Sequence, residues 1–265
     1  MAIIPAQFLD AVVSIGVRKG PSISWIGTGF FVTRKTQDPT KGIPYLVSNK
    51  HVFQCSDKIV IRMREEVTGA LKEMDASLKD PDGKTFFRMH ELEDIDIAVL
   101  PLNAKVITKN HLDFPYFDID EQAMTSKQLW DNDVDEGALI YMLGYPMGLV
   151  NRNSNMPICR LGCIARMTEV QIKEQHNILV DIQNFPGNSG SPIVLRPELM
   201  SIKGTKALDR SVLIGIVHSY IPYREQLINS QTGQVVEIKS ENSGIANVHP
   251  VEYIREIIDK IQPRV

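Results

Sequence analysis

Apolar runs rich in Val, Ile and Leu recur along the chain, separated by turn residues such as Gly, Pro, Asp and Asn. The pattern predicts strands over 11–17, 29–33, 45–48, 58–63, 95–100, 138–143, 178–182, 191–195 and 212–217. Several hold more apolar residues than strict alternation allows, as strands of closed, well-filled barrels can. A different period governs the last stretch. Ile254, Ile257, Ile258 and Ile261 make one helical stripe, which predicts a helix over 250–262, with Pro250 suited to its first turn and Pro263 ending it. The polar, acidic segment 118–136 is poor in strand formers and marks a seam. It predicts one β domain over 1–125 and a second over 126–265. Segment 65–93 reads as an elaborated hairpin region in the first. Segment 223–243 reads as a long hairpin in the second.

Composition narrows the function classes. The 265 residues can bury a substantial core, and 43% are hydrophobic, 23% charged, with a formal net charge of -3. That balance argues against a dedicated nucleic-acid binder, which needs a basic face for phosphates. The N-terminal residues lack the pattern of a signal peptide, and the longest uncharged apolar run, 137–150, is too short to span a bilayer. Cys55, Cys159 and Cys163 are odd in number and too sparse for a disulfide framework, which suggests a cytoplasmic protein. Cys159 and Cys163 lack paired metal-ligand spacing, so neither a metal nor another cofactor is expected.

Three segments carry candidate chemistry. Pro186-Gly187-Asn188-Ser189-Gly190-Ser191-Pro192 precedes an apolar run. Its glycines permit a tight backbone that exposes the Ser189 hydroxyl and aims the Gly187 and Ser189 amides at one spot, where an oxyanion could sit. His51 ends the strand-like run that begins at Leu46, and Asp96 leads into 97–100. The order His51, Asp96, Ser189 is that of chymotrypsin-type hydrolases rather than of subtilisins or α/β-hydrolases. The serine segment also fails the G-x-S-x-G elbow, because Ser191 holds the last position. Histidine and aspartate precede the seam while the serine follows it, as a site assembled across two β bodies requires.

With these segments in view, the sequence resembles trypsin-like peptidases of the bacterial branch that includes the HtrA proteases and the glutamyl endopeptidases. The carriers are Gly27-Thr28-Gly29-Phe30-Phe31-Val32, Asp96-Ile97-Ala98-Val99-Leu100, Leu143-Gly144-Tyr145-Pro146-Met147-Gly148 and Gly187 to Pro192, in the family's order. The resemblance implies an all-β fold: two six-stranded antiparallel β-barrels of the chymotrypsin type with a C-terminal helix. It implies a serine endopeptidase acting on a peptide or protein substrate. Ser189 would be the nucleophile, His51 the base, Asp96 the residue that orients His51, and the Gly187 and Ser189 amides the oxyanion hole. Asp94 is the rival for the acidic role, but the family motif aligns Asp96.

Departures from the family shape the remaining expectations. Asn188 stands where digestive trypsins have an aspartate, so pairing with a freshly cleaved N-terminus is not expected as the switch. The peptide-binding regulatory domain of HtrA proteases has no counterpart here, and any activating partner stays open. Gln183 and Asn184 align with the base of the substrate pocket, while Asp181 is expected to point elsewhere. Val217, His218, Ser219 and Tyr220 supply the strand beside substrate. His218 either reaches the pocket or lies against Asp96 as a second donor. A silent scaffold of the same fold and an esterase using the same triad are the competing readings.

Overall fold

The computed structural model describes residues 3–38, 41–151, 153–199 and 202–261. A five-residue helix α1 (Ala6–Asp10) leads into β1 (Val12–Lys19), which turns tightly into β2 (Ser22–Lys35), then β3 (Gly42–Ser48). One helical turn, α2 (Lys50–Gln54), follows and carries His51. Next come β4 (Lys58–Arg64), β5 (Leu71–Ser77), β6 (Arg88–Met89), β7 (Ala98–Pro101), helix α3 (Ala104–Lys109) and β8 (Phe117–Asp118). These strands form one sheet in the order β5-β4-β1-β2-β3-β7-β6, with β8 laid parallel to β2 at Val32 and Thr33.

Helix α4 (Ser126–Asp131) opens the second half, and its capping box is legible in chemistry: Thr125 and Gln128 each satisfy the other's backbone amide. Strands β9 (Leu139–Gly144) and β10 (Ile158–Arg166), helix α5 (Glu169–Gln175), β11 (Ile178–Asp181), β12 (Pro192–Leu195), β13 (Val212–Ile228) and β14 (Val235–Pro250) follow. They close a barrel in the order β10-β11-β14-β13-β12-β9. This second body is the six-stranded barrel expected. The first is an eight-stranded sheet rather than six strands, because the short β6 and β8 are added at β7 and β2. Helix α6 (Val251–Ile261) ends the described chain, so residue 262 and Pro263 of the predicted helix lie outside the described residues.

The core has three parts. One fills the first sheet around Phe31, Leu46, Phe53 and Ile59. Another fills the barrel around Met142, Val180, Ile214 and Val248. The largest lies between the two bodies, where Phe30, Val47 and Val99 meet Val194, Leu213 and Ile216 under the apolar face of α6. Arg255 on α6 donates to the carbonyls of Ile119 and Ala123 at 2.7–3.0 Å, so the helix also grips the connecting segment. The hairpin expected over 223–243 is the outer part of β13 and β14, paired as far as Ile228 and Val235, and its strands are exposed from Tyr223 to Ile228 and from Val235 to Glu241. Among the described residues no helix is long and apolar enough to cross a membrane.

Candidate functional site

The site lies where the two bodies meet. On the first, Asn49 begins α2 and donates its side-chain amide to the Asp96 carbonyl at 2.8 Å, tying the His51 helix to the loop before β7. The Asp96 carboxylate then meets His51 twice. Its Oδ1 accepts from the His51 backbone amide at 3.0 Å, and Oδ2 lies 2.5 Å from His51 Nδ1. Burial alone would raise the Asp96 carboxyl, but the hydrogen bonds and charge of His51 bring it below the ordinary carboxylate range. His51 is half exposed, while Asp96 is mostly covered. Asp94, the rival acid, faces away from His51 in its contacts: its carboxylate lies 3.4 Å from His176 Nε2.

The second body delivers the serine loop. Asn188 N–H donates to the Phe185 carbonyl at 3.0 Å, and Gly187 between them has φ +95. Pro then Gly at the two central positions is the signature of a type II turn. A Cβ on Gly187 would stand 2.5 Å from the Tyr145 carbonyl, so the position admits only glycine without movement. Met147 N–H holds the Pro186 carbonyl at 2.5 Å. In a planar trans peptide the N–H points opposite to the C=O, so the Gly187 amide is turned away from Met147. Among the described residues neither the Gly187 nor the Ser189 amide has a hydrogen-bond acceptor.

Strand β2 locks that loop to the first body. Thr28 N–H donates to the Ser189 carbonyl at 2.8 Å, and Thr28 Oγ1 donates to the Gly187 carbonyl at 2.7 Å. Ser48 Oγ in turn donates to the Thr28 carbonyl at 2.7 Å. A Cβ on Gly27 would be 2.9 Å from Val52, the neighbour of His51, and 3.3 Å from the Ser189 carbonyl. The Ser189 backbone therefore sits one side-chain width from α2. No hydrogen bond joins the Ser189 hydroxyl to His51 among the described residues, a contact that commonly tightens only with substrate bound.

Residues expected in the substrate pocket are partly assembled. Buried Asn184 donates from Nδ2 to the Ser219 carbonyl at 3.1 Å, and its backbone carbonyl accepts from Asn242 Nδ2 at 2.5 Å. Asn247 reaches the Ser219 hydroxyl at 3.0 Å. Gln183 Nε2 lies 3.4 Å, and Asp181 Oδ1 3.9 Å, from the point where Gly244 would carry a Cβ. Asp181 pairs with Ile245 at the end of β11, and Ile182 N–H continues to the Gly244 carbonyl at 2.8 Å. Tyr220 is exposed where the strand leaves the barrel.

His218 lies near enough to Asp96 for the two to act on each other electrostatically, but it does not donate to it. No hydrogen bond or ring contact links it to Gln183 or Asn184, or donates from it to Asp96, among the described residues. Its Nε2 pairs with Asn177 Oδ1 at 2.8 Å, and its ring stacks on His249 at 3.9 Å and 6°. The residue that touches Asp96 from this side is His249, whose Nε2 accepts the Asp96 backbone N–H at 3.0 Å. Sequence reasoning missed it. Its one local signal, a histidine closing a strand just before a helix, says nothing of a partner 153 residues away.

The model of the Trypsin-like peptidase domain family matches residues 27–197, and the chain belongs to that family. Among solved structures, the apo form of the MamO protease domain from Magnetospirillum magneticum matches with a TM-score of 0.51 at 14% identity. That match covers 95% of this chain and 97% of that one, a likeness of fold. No curated protein sequence matches. Family and structure together define a chymotrypsin-like fold: a closed six-stranded barrel, a second β-sheet and a C-terminal helix.

Proposed function

We propose that the protein is a serine endopeptidase in which Ser189 attacks the scissile carbonyl. His51 takes the serine proton and returns it to the leaving amine, while Asp96 fixes the His51 tautomer and faces the imidazolium that forms. The Gly187 and Ser189 amides receive the oxyanion. The observation that carries this reading is the His51 Nδ1–Asp96 Oδ2 contact at 2.5 Å on one body, with the Ser189 loop of the other bonded to strand β2 of that first body. The acceptor-free Gly187 and Ser189 amides support a hole formed before substrate arrives. Gln183, Asn184 and Ser219 beside Asn242 and Asn247 support a pocket lined by neutral amides, suited to small or polar side chains. The free state of Cys55, Cys159 and Cys163 supports a reducing compartment.

Titration with a fluorophosphonate probe tests the reading, with Ser189→Ala as the blank. Stoichiometric labelling of the wild type alone supports a serine hydrolase, and no labelling points to a scaffold. A peptide-library cleavage profile against short ester substrates then separates peptidase from esterase.

A further inference from the structure

Five of the six histidines gather around the interface between the two bodies: His51, His90, His176, His218 and His249. The proposed reaction uses His51 alone. The others are not arranged as a metal site, since among the described residues no group of His, Cys, Asp and Glu could hold one. Their contacts form a brace instead.

The brace starts at His176, which caps α5 in the left-handed conformation with φ 55. Its carbonyl accepts from His249 Nδ1 at 2.8 Å. A carbonyl can only accept, so Nδ1 carries the proton and Nε2 is left bare. That bare nitrogen accepts the Asp96 N–H at 3.0 Å. The His249 ring is fully buried, stacked on His218 and set edge-on to Tyr253 at 89°. The His176 ring is fixed too, with Nδ1 2.8 Å from the Tyr253 hydroxyl and Nε2 3.4 Å from Asp94. The loop 94–96 is therefore held at Asp94 by one histidine and at Asp96 by another, both from the barrel.

On its other side, Asp96 is held by the body that carries His51, through Asn49 and the His51 amide. We infer that His249 is a positioning residue: its neutral Nε2 acceptor fixes the Asp96 backbone, and through it sets the Asp96 carboxylate against His51 Nδ1. The inference rests on the proposed triad for its kinetic consequence. A side chain of similar bulk would fill the space equally well. It would leave the Asp96 N–H without an acceptor, so the loop would have to move to satisfy it.

His249→Gln and His249→Met separate these possibilities, since Gln offers an acceptor near the place of Nε2 and Met offers only a weak one. For the best peptide substrate, Met should lower kcat about 10- to 100-fold with KM nearly unchanged, and Gln should recover most of that loss. In proton NMR, the downfield resonance of the His51 Nδ1 proton facing Asp96 should broaden or shift in Met and return in Gln. A Met variant with wild-type kcat and an unmoved resonance would overturn the inference. Equal losses in Gln and Met would also overturn it, because shape rather than the acceptor would then matter. The resonance is readable without turnover. Should the wild type prove unreactive, the peptidase reading fails while the NMR comparison still decides the role of His249.

Discussion

Lowering the pH from 7 to 5 should remove a large part of this protein's folding stability, and His218 and His249 set the amount. Burial, reinforced by His249, pushes the His218 pKa down to about 3. Burial likewise brings His249 to about 4, against the smaller raising effects of the His176 carbonyl, Asp96 and Asp94. In the unfolded chain both histidines accept a proton as the pH falls through about 6.5. The folded protein cannot take up those protons until pH 4 to 3. In that window the unfolded state binds more protons, so stability falls as the pH falls. At about 1.36 kcal/mol per pH unit, each histidine costs about 2 kcal/mol by pH 5, or about 4 together. Against a typical total of about 5–15 kcal/mol that loss is large. Asp96, with its lowered carboxyl, loses its contribution only below the ordinary carboxylate range. Glu252 works in the opposite sense, because burial raises its carboxyl above that range. Urea unfolding followed by the fluorescence of Trp25 and Trp130 measures the sum. At about 3 kcal/mol per molar urea, the midpoint should drop by more than 1 M between pH 7 and 5. A His218→Leu, His249→Gln variant should lose most of that dependence. A variant that kept the full acid loss would refute the assignment to these two rings.

The remaining predictions concern the site itself. Ser189→Ala and His51→Ala should each cut turnover by about 10⁴-fold or more while melting like the wild type; a folded variant with wild-type activity would remove that residue from the mechanism. Asp96→Asn should lower kcat by about 10⁴-fold, because His51 would then favour the wrong tautomer. Asp94→Asn, which loses only a contact to His176, should change kcat little, and a reversal of the two would move the acidic role. Gly187→Ala should lower kcat about 10²- to 10³-fold through the displaced amide and stability by about 1–3 kcal/mol through the positive φ. Stopped assays with wild-type Gly187 as reference and chemical denaturation check both. Thiol titration of protein purified without oxidant should find Cys55, Cys159 and Cys163 all reactive once unfolded, and a Cys159–Cys163 bridge in mass spectra would contradict it.

Motifs that act over a few residues were readable in the sequence, and contacts that act across the fold were not. The Pro186-Gly187 turn announces itself because backbone geometry demands those residue types at adjacent positions. The strands around Val47, Val99 and Val194 are visible because both their faces meet apolar neighbours. Strand β10 escaped, since most of its side chains face outward and Arg160, Gly162 and Arg166 interrupt any apolar pattern. What holds it is its ladder to β9, from Ile158 to Cys163. Helix α2 escaped for another reason: at five residues it has too little length for a period, and the Asn49 and Asp96 contacts fix it. The position of His218 could not be read from its place beside the substrate strand. A register shift between Val217 and Ser219 falls on it, so counting alternate residues fails there.

The order in which these parts leave the ribosome gives α6 a further meaning. His51, Asp96 and Ser189 are all synthesised before residue 190, yet His249, Tyr253 and the apolar face of α6 come some sixty residues later. A nascent chain that has reached only Leu195 carries the three proposed reactive side chains but neither the backing of Asp96 nor the layer that joins the two β bodies. It also lacks β13 and β14, without which the barrel cannot close. Competence in the proposed reaction would thus wait on the synthesis of β13, β14 and α6.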